Sequence, residues 1–222
     1  EAGKLYAVSD SFYSSAPSIF TIDAKQSPAQ ITEALVVKRG GQAAQKLDLE
    51  GITTDGNGGF WLANEGDQSK LVPHAILNVN EKGEIKKEIA LPEELLASQV
   101  RFGLEGITRV GEGDEASLWM PIQREWKDDE KGFVKLLNYN IKDKSWGAVS
   151  YPLDKAGDGW IGLSEITAHD GYLYIVERDN QIGGKAVNKR LYRVALEGLK
   201  PAKIGEKRPI AEKVLAHEFI DD

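Results

Sequence analysis

One opening recurs three times along this chain and decides what it can fold into. Leu49-Glu50-Gly51-Ile52-Thr53, Leu104-Glu105-Gly106-Ile107-Thr108 and Leu163-Ser164-Glu165-Ile166-Thr167 begin units whose leucines stand 55 residues (49 to 104) and 59 residues (104 to 163) apart. A Gly/Asp-rich turn follows each opening, at Asp55–Gly59, Gly111–Asp114 and His169–Gly171, and then an aromatic-rich strand: Phe60–Ala63, Leu118–Met120 and Leu173–Val176. Bulky and β-branched residues bounded by such turns signal hairpins. After a longer polar loop comes a third strand (Ile76–Asn80, Leu136–Asn140, Leu191–Val194), and a fourth closes each unit, as in Glu84–Ile89 and Trp146–Tyr151. Four antiparallel strands in a repeat of this length are the signature of a β-propeller blade, each sheet burying its faces on its neighbours. The fold class expected is therefore all-β, a β-propeller; a β-sandwich with accidental internal similarity is the alternative. Helix is nearly absent, Pro92–Ser98 alone reading as a short one with Pro in its first turn.

The first residues read as an incomplete copy, with Leu5–Asp10 matching the aromatic strand and Ile19–Asp23 the third strand. At the other end Glu212–Ala216 reads as a fourth strand without a successor. The blades fall at about 1–47, 48–101, 102–160 and 161–222, just under four in all, whereas propellers close with about 4–8. The expectation is a larger closed ring, completed by the remainder of a parent chain or by a second polypeptide, with Glu1 and Asp222 as cut or processed ends.

Composition narrows the function. With 28 Lys+Arg against 35 Asp+Glu the formal net charge is −7, which argues against a nucleic-acid partner needing a basic face. Zero cysteines exclude disulfides, thiolate metal sites and a Cys nucleophile. No apolar run reaches the ~18 residues of a membrane-spanning helix. The three histidines, His74, His169 and His217, lack zinc-site spacing.

The acids have a place in the repeat. Reflection about each hairpin turn sets Glu50 opposite Glu65, Glu105 opposite Arg124 or Glu125, and Glu165 opposite Glu177, with Arg178 and Asp179 following; Asp10 takes the position of Glu65 in the first unit. All fall at the hairpin end expected to form one mouth of a propeller channel. Like charges gathered there need a neutraliser. A hard cation such as Ca²⁺ would take Glu50, Glu65, Glu105, Glu177 and Asp10 as oxygen ligands. The arginines would otherwise pair with the acids, Arg178 between Glu177 and Asp179 being the obvious case, or one acid would keep its proton. Arg124 and Arg178 are candidates to clamp an anionic substrate in bidentate fashion, with His74, in the loop at the same mouth, a further substrate contact. Glu165 and Asp179 are candidates for general acid or base. Asp55–Gly59 is read as a turn, since the bidentate twelfth-position Glu of a calcium loop is missing.

These motifs carry a family resemblance. Asp48-Leu49-Glu50-Gly51-Ile52 with Phe60-Trp61-Leu62-Ala63-Asn64-Glu65, Phe102–Ile107 with Gln123-Arg124-Glu125, and Gly162–Ile166 with Val176-Glu177-Arg178-Asp179 resemble the bacterial "esterase-like activity of phytase" family. The resemblance spans most of the chain. It implies a propeller related in architecture to calcium-dependent phytases, exported to the periplasm or secreted, and hydrolysis of a phosphoester or carboxyl ester. Calcium is the implied cofactor and a small anionic or ester substrate the implied partner. A non-catalytic binding propeller with a Glu/Arg network, and a lactonase-like calcium propeller, are the alternatives. The chain departs from the pattern where Ser164 stands at the position of Glu50 and Glu105, and where Gln123 and Arg178 stand at that of Glu65.

Overall fold

The structure, a computed structural model, describes residues 3–11 and 15–220. Glu1 and Asp222, the two ends read above as cut or processed, lie outside the described residues. The fold is all-β and of β-propeller type, with four antiparallel sheets, two in each of two compact units, Glu1–Leu91 and Pro92–Asp222.

In the first unit β1 (Lys4–Val8), β2 (Ser18–Asp23) and β3 (Gln30–Val36) form a three-stranded sheet, followed by a short hairpin of β4 (Lys38–Arg39) and β5 (Gln42–Ala43). The second sheet runs β6 (Leu49–Thr54), β7 (Phe60–Asn64), β8 (Ala75–Val79) and β9 (Ile85–Ala90) in chain order. Its second strand is buried on both faces, the reason Phe60-Trp61-Leu62-Ala63 reads as an unbroken apolar run. Ile19, Leu49, Leu62, Leu77 and Val79 make the unit's core. The β6–β7 turn is braced by Asp55, whose Oδ1 accepts the N–H groups of Asn57 (2.7 Å) and Gly59 (2.9 Å). That is turn chemistry.

The second unit opens with the short helix α1 (Glu93–Leu96), preceded by Pro92. Its first sheet joins β10 (Thr108–Val110), β11 (Ser117–Pro121), β12 (Phe133–Asn140) and β13 (Ser145–Pro152); its second joins β14 (Ile161–His169), β15 (Tyr172–Asp179), β16 (Lys189–Ala195) and β18 (Lys213–Glu218). The connection from β16 to β18 leaves its own sheet and adds a two-residue strand, β17 (Ala202–Lys203), to the β13 edge. Arg208 fastens this strap to Asp128 (3.1 Å) and Asp129 (2.8 Å). A sheet edge that would otherwise expose its backbone donors and acceptors is covered.

Registers differ from simple reflection in all three hairpins, for identifiable reasons. A β-bulge at Glu50 pairs Leu49 with Asn64 and Gly51 with Ala63. Asp48, not Glu50, therefore stands across from Glu65, whose N–H donates to the Asp48 carbonyl at 2.8 Å. In β14 the two-residue turn Asp170-Gly171 already pairs Glu165 with Val176, and the bulged Ser164 then sets Leu163 across from Glu177. In the third repeat Leu104 bridges Ile122, which puts Glu105 near Pro121 and Gln123 rather than Arg124 or Glu125. Bulges insert one unpaired residue and re-aim side chains, and here they sit at the sheet ends that carry the acids.

Candidate functional site

The first unit gathers three carboxylates. Asp48 and Glu65 are buried and Glu50 is half-buried, and one oxygen from each lies within 4.8 Å of the others. The hairpin explains this: the Glu65 N–H bonds the Asp48 carbonyl across it, and the bulge at Glu50 re-aims the third carboxylate at the same sheet end. Asp48 is itself held by the Ser11 N–H, which donates to its Oδ1 at 2.8 Å, while its own N–H donates to the Asn64 side chain at 2.7 Å. Asp10 is exposed, one residue before that Ser11 contact. His74 is buried, and its Nδ1 accepts the Gly66 N–H at 2.8 Å, which assigns the ring proton to Nε2. Gly66 is required there, since a Cβ would come within 2.5 Å of the imidazole.

The donor set suits a hard cation. Two oxygens each 2.3–2.6 Å from one Ca²⁺ can stand at most about 5 Å apart, and all three carboxylates meet that limit. Asp48 is the member that reflection about the turn passed over.

In the second unit the candidates divide between the two faces of the sheets. Residues of β15 alternate between buried and half-buried, so Glu177 and Asp179 lie on the core side with Leu173 and Ile175, and Arg178 on the other. Glu177 accepts Lys213 Nζ at 2.7 Å and the Asp154 N–H at 3.0 Å. Lys213 also reaches Asp154 at 2.8 Å and packs 4.1 Å from the Tyr192 ring centroid. Burial pushes the Glu177 carboxyl up, with Lys213 pulling against it. Burial acts on Asp154 in the same sense, but Lys213, the Tyr192 hydroxyl and Arg190 outweigh it and hold that carboxyl well below the usual range.

Asp179 braces the loop between β15 and β16. Its carboxylate accepts Lys189 Nζ (2.6 Å) and the N–H groups of Val187 (2.7 Å), Asn188 (2.9 Å) and Gln181 (3.0 Å). Burial works to raise its pKa, yet these donors bring it down to about 2. The folded value lies below the unfolded one, so its contribution is complete above about pH 4 and fades as pH falls toward 2. Asp179→Ala takes the carboxylate from three loop amides and from the part-buried Lys189 ammonium, which keeps two backbone carbonyls. We expect it to cost about 2 kcal/mol and to open Asn180–Asn188 to hydrogen exchange; wild-type protection in that loop would contradict this placement.

The other face of the same sheets is built differently. Arg124 lies 4.5 Å from the Trp160 ring centroid and 4.8 Å from that of Phe102, and Arg178 lies 5.3 Å from Trp160. Arg178 Nε donates to the Ser164 hydroxyl at 2.7 Å. Among the described residues neither guanidinium is ion-paired, so the Arg178–Glu177 and Arg178–Asp179 pairs expected as neutralisers do not form. Trp160, which no motif singled out, organises both arginines, and its backbone is pinned to Asn180 in both directions at 3.0 Å. Glu105 accepts the Gln123 amide. Glu125, its other expected neighbour, accepts the Gly132 N–H at 2.6 Å.

Glu165 is exposed along one side, but protein crowds its carboxyl from the Gly106 side, and that desolvation pushes it up to about 7 against the pull of the Ile166 N–H. Gly106 makes that close approach possible, because a Cβ there would stand 2.5 Å from Glu165 Oε1. The folded pKa exceeds the unfolded one, so stability falls as pH rises from about 4.5 to 7 and is level above. Glu165→Gln is therefore expected to stabilise the protein at pH 8 by about 1 kcal/mol, the shift being discounted for solvent screening, and to leave it unchanged at pH 4. Equal melting temperatures at pH 8 would show an ordinary carboxyl.

These sheets and side chains define a propeller carrying a largely buried acidic cluster in one unit and two arginines packed on Trp160 in the other. The sequence matches the profile of the family described as "Phytase-like: Esterase-like activity of phytase" over residues 1–221, and the chain belongs to that family. Among solved structures, the crystal structure of an exo-1,5-α-L-arabinanase from a bovine ruminal metagenomic library aligns with a TM-score of 0.51 at 14 % identity, covering 98 % of this chain and 75 % of that one. A protein of unknown function from Bacteroides caccae aligns with a TM-score of 0.40 at 11 % identity, over 97 % of this chain and 74 % of that one. The arabinanase likeness is one of fold alone. A comparison with curated proteins returned no match. Among the described residues no helix is long and apolar enough to cross a membrane.

Proposed function

We propose that this protein is a metal-dependent hydrolase of phosphoesters or carboxyl esters, exported to the periplasm or secreted. The observation that carries the reading is the convergence of Asp48, Glu50 and Glu65 within 4.8 Å. Asp48, Glu50 and Glu65 would hold the cation, with Ca²⁺ the best match to an all-carboxylate set. A cation bound there supplies Lewis-acid polarisation of a phosphoryl or acyl oxygen and a more acidic water. Membership of the phytase-like family supports the reaction class and the export.

The Pro92–Asp222 unit offers chemistry of its own. Arg124 and Arg178, held by Trp160 and free of carboxylate partners among the described residues, are suited to binding an anionic group there. Glu165, with a carboxyl near 7, holds or releases a proton at neutral pH, the property a general acid or base needs. Glu177 and Asp179 brace the fold from the opposite face of β15, Glu177 through the Lys213 it shares with Asp154 and Asp179 through Lys189.

The test is hydrolysis of p-nitrophenyl phosphate and p-nitrophenyl acetate by the full chain, with added Ca²⁺ and with EDTA. Turnover of at least one substrate that EDTA abolishes and Ca²⁺ restores is the expected result. Turnover indifferent to EDTA would reject the metal, and no turnover of either ester would reject the activity.

A further inference from the structure

A recess lies in the Pro92–Asp222 unit, a cavity of about 740 Å³. Its walls combine apolar surface from Phe133, Pro152, Leu153 and Ile161 with three cations, Arg124, Lys131 and Lys155. Two acids also line it, Glu125 and Asp154. Glu125 accepts the Gly132 N–H at 2.6 Å. Asp154 receives Lys213 (2.8 Å), Arg190 (2.6 Å) and the Tyr192 hydroxyl (2.6 Å). Lys131 and Lys155, by contrast, carry no hydrogen bond or ion pair among the described residues, and Arg124 makes only its aromatic contacts. With Asp154 ion-paired, three cations face the single carboxylate unpaired among the described residues, that of Glu125, so the cavity is positive on balance, and apolar side chains share its wall. Trp160 also lines it, which joins this recess to the arginine pair.

We propose that this cavity is a subsite for an aryl or similarly apolar group bearing an oxyanion, a carboxylate or a phosphate, with Arg124, Lys131 and Lys155 meeting the charge and the Phe133–Ile161 wall the apolar body. It rests on the proposed hydrolase in one respect, that the ligand belongs to the class of esters or acids such a hydrolase handles. A fixed recess lined by apolar side chains with a few convergent charges is how proteins select small ligands. The lysines add attraction that falls with ionic strength.

Binding to the full chain, measured calorimetrically in EDTA, tests the subsite apart from any metal or turnover, so the hydrolase reading and this one can fail separately. The probes are phenylphosphonate, benzoate and methylphosphonate. Saturable binding of an aryl anion is expected, with methylphosphonate much weaker and K131E/K155E weakening the aryl anion by roughly tenfold or more. The tighter of phenylphosphonate and benzoate assigns the oxyanion as phosphate or carboxylate. K131A, expected to give an intermediate loss, covers the case in which double charge reversal disturbs the loop. The proposal is overturned if neither aryl anion binds, if the lysine variants bind them unchanged, or if methylphosphonate binds as tightly as phenylphosphonate.

Discussion

Lys213→Met is expected to destabilise the protein by about 3–5 kcal/mol at neutral pH, the usual cost of leaving a buried charge without its partner. Lys213 is the shared cation of two acids, at 2.7 Å from Glu177 and 2.8 Å from Asp154, and Glu177 has no solvent exposure at all. Methionine keeps much of the apolar stem against Tyr151 and Tyr192 but removes the charge. The pH dependence identifies the cause. Burial already pushes the Glu177 carboxyl up, and without Lys213 the acid escapes the penalty by taking a proton, which is easier at pH 5 than at pH 7. The loss should shrink accordingly as pH falls. Adding Glu177→Gln should recover a large part of it, since the amide brings no stranded charge. Urea midpoints for wild type, K213M and the double variant at both pH values check this. A K213M loss under ~1 kcal/mol, or one independent of pH, would mean that water reaches Glu177 and the network is ordinary surface pairing.

The second large effect is on activity. Glu50→Gln combined with Glu65→Gln removes two of three carboxylates from the acidic cluster and is expected to lower ester turnover by at least ~100-fold, because a hard cation is held chiefly by charged oxygens. Stability should move the other way when metal is absent. Three carboxylates whose oxygens lie within 4.8 Å repel one another, so in EDTA the double variant should melt no lower than the wild type. Excess Ca²⁺ should reverse that order. A double variant that is less stable in EDTA as well would mark these glutamates as structural acceptors, and full activity would remove the cluster from the reaction.

Much of this architecture could be read from the residues. Three Leu-Glu-Gly-type openings, Gly/Asp turns and aromatic strands announced the hairpins, and the strands lie where those patterns recur, down to the edge strand at Lys213–Glu218 and the short helix at Glu93–Leu96. Register was less legible. A bulge leaves no compositional mark, so Glu50 and Ser164 each shifted the pairing by one residue, and Asp48 took the place across from Glu65. The alternation of β15 was legible but subordinate to the mirror argument: with Leu173 and Ile175 in the core, a period of two sends Glu177 and Asp179 inward and Arg178 away from both. Trp160 precedes the repeat motif and no spacing pointed to it, although it meets both arginines. The strap carrying β17 was invisible for a different reason. Two residues have no periodicity, and Arg208 finds Asp128 and Asp129 about 80 positions away in the chain.

The central claim is that Asp48, Glu50 and Glu65 bind a divalent cation, and thermal unfolding of the full chain across a Ca²⁺ titration tests it most directly. A ligand that binds only the folded state raises the melting temperature by mass action, about 2.7 kcal/mol of stabilisation at a hundred times the dissociation constant. The account predicts a melting temperature that climbs with Ca²⁺ in the wild type and stays level in the Glu50→Gln/Glu65→Gln variant. A wild-type melting temperature unmoved from micromolar to millimolar Ca²⁺, or a climb equally large in the variant, would contradict it.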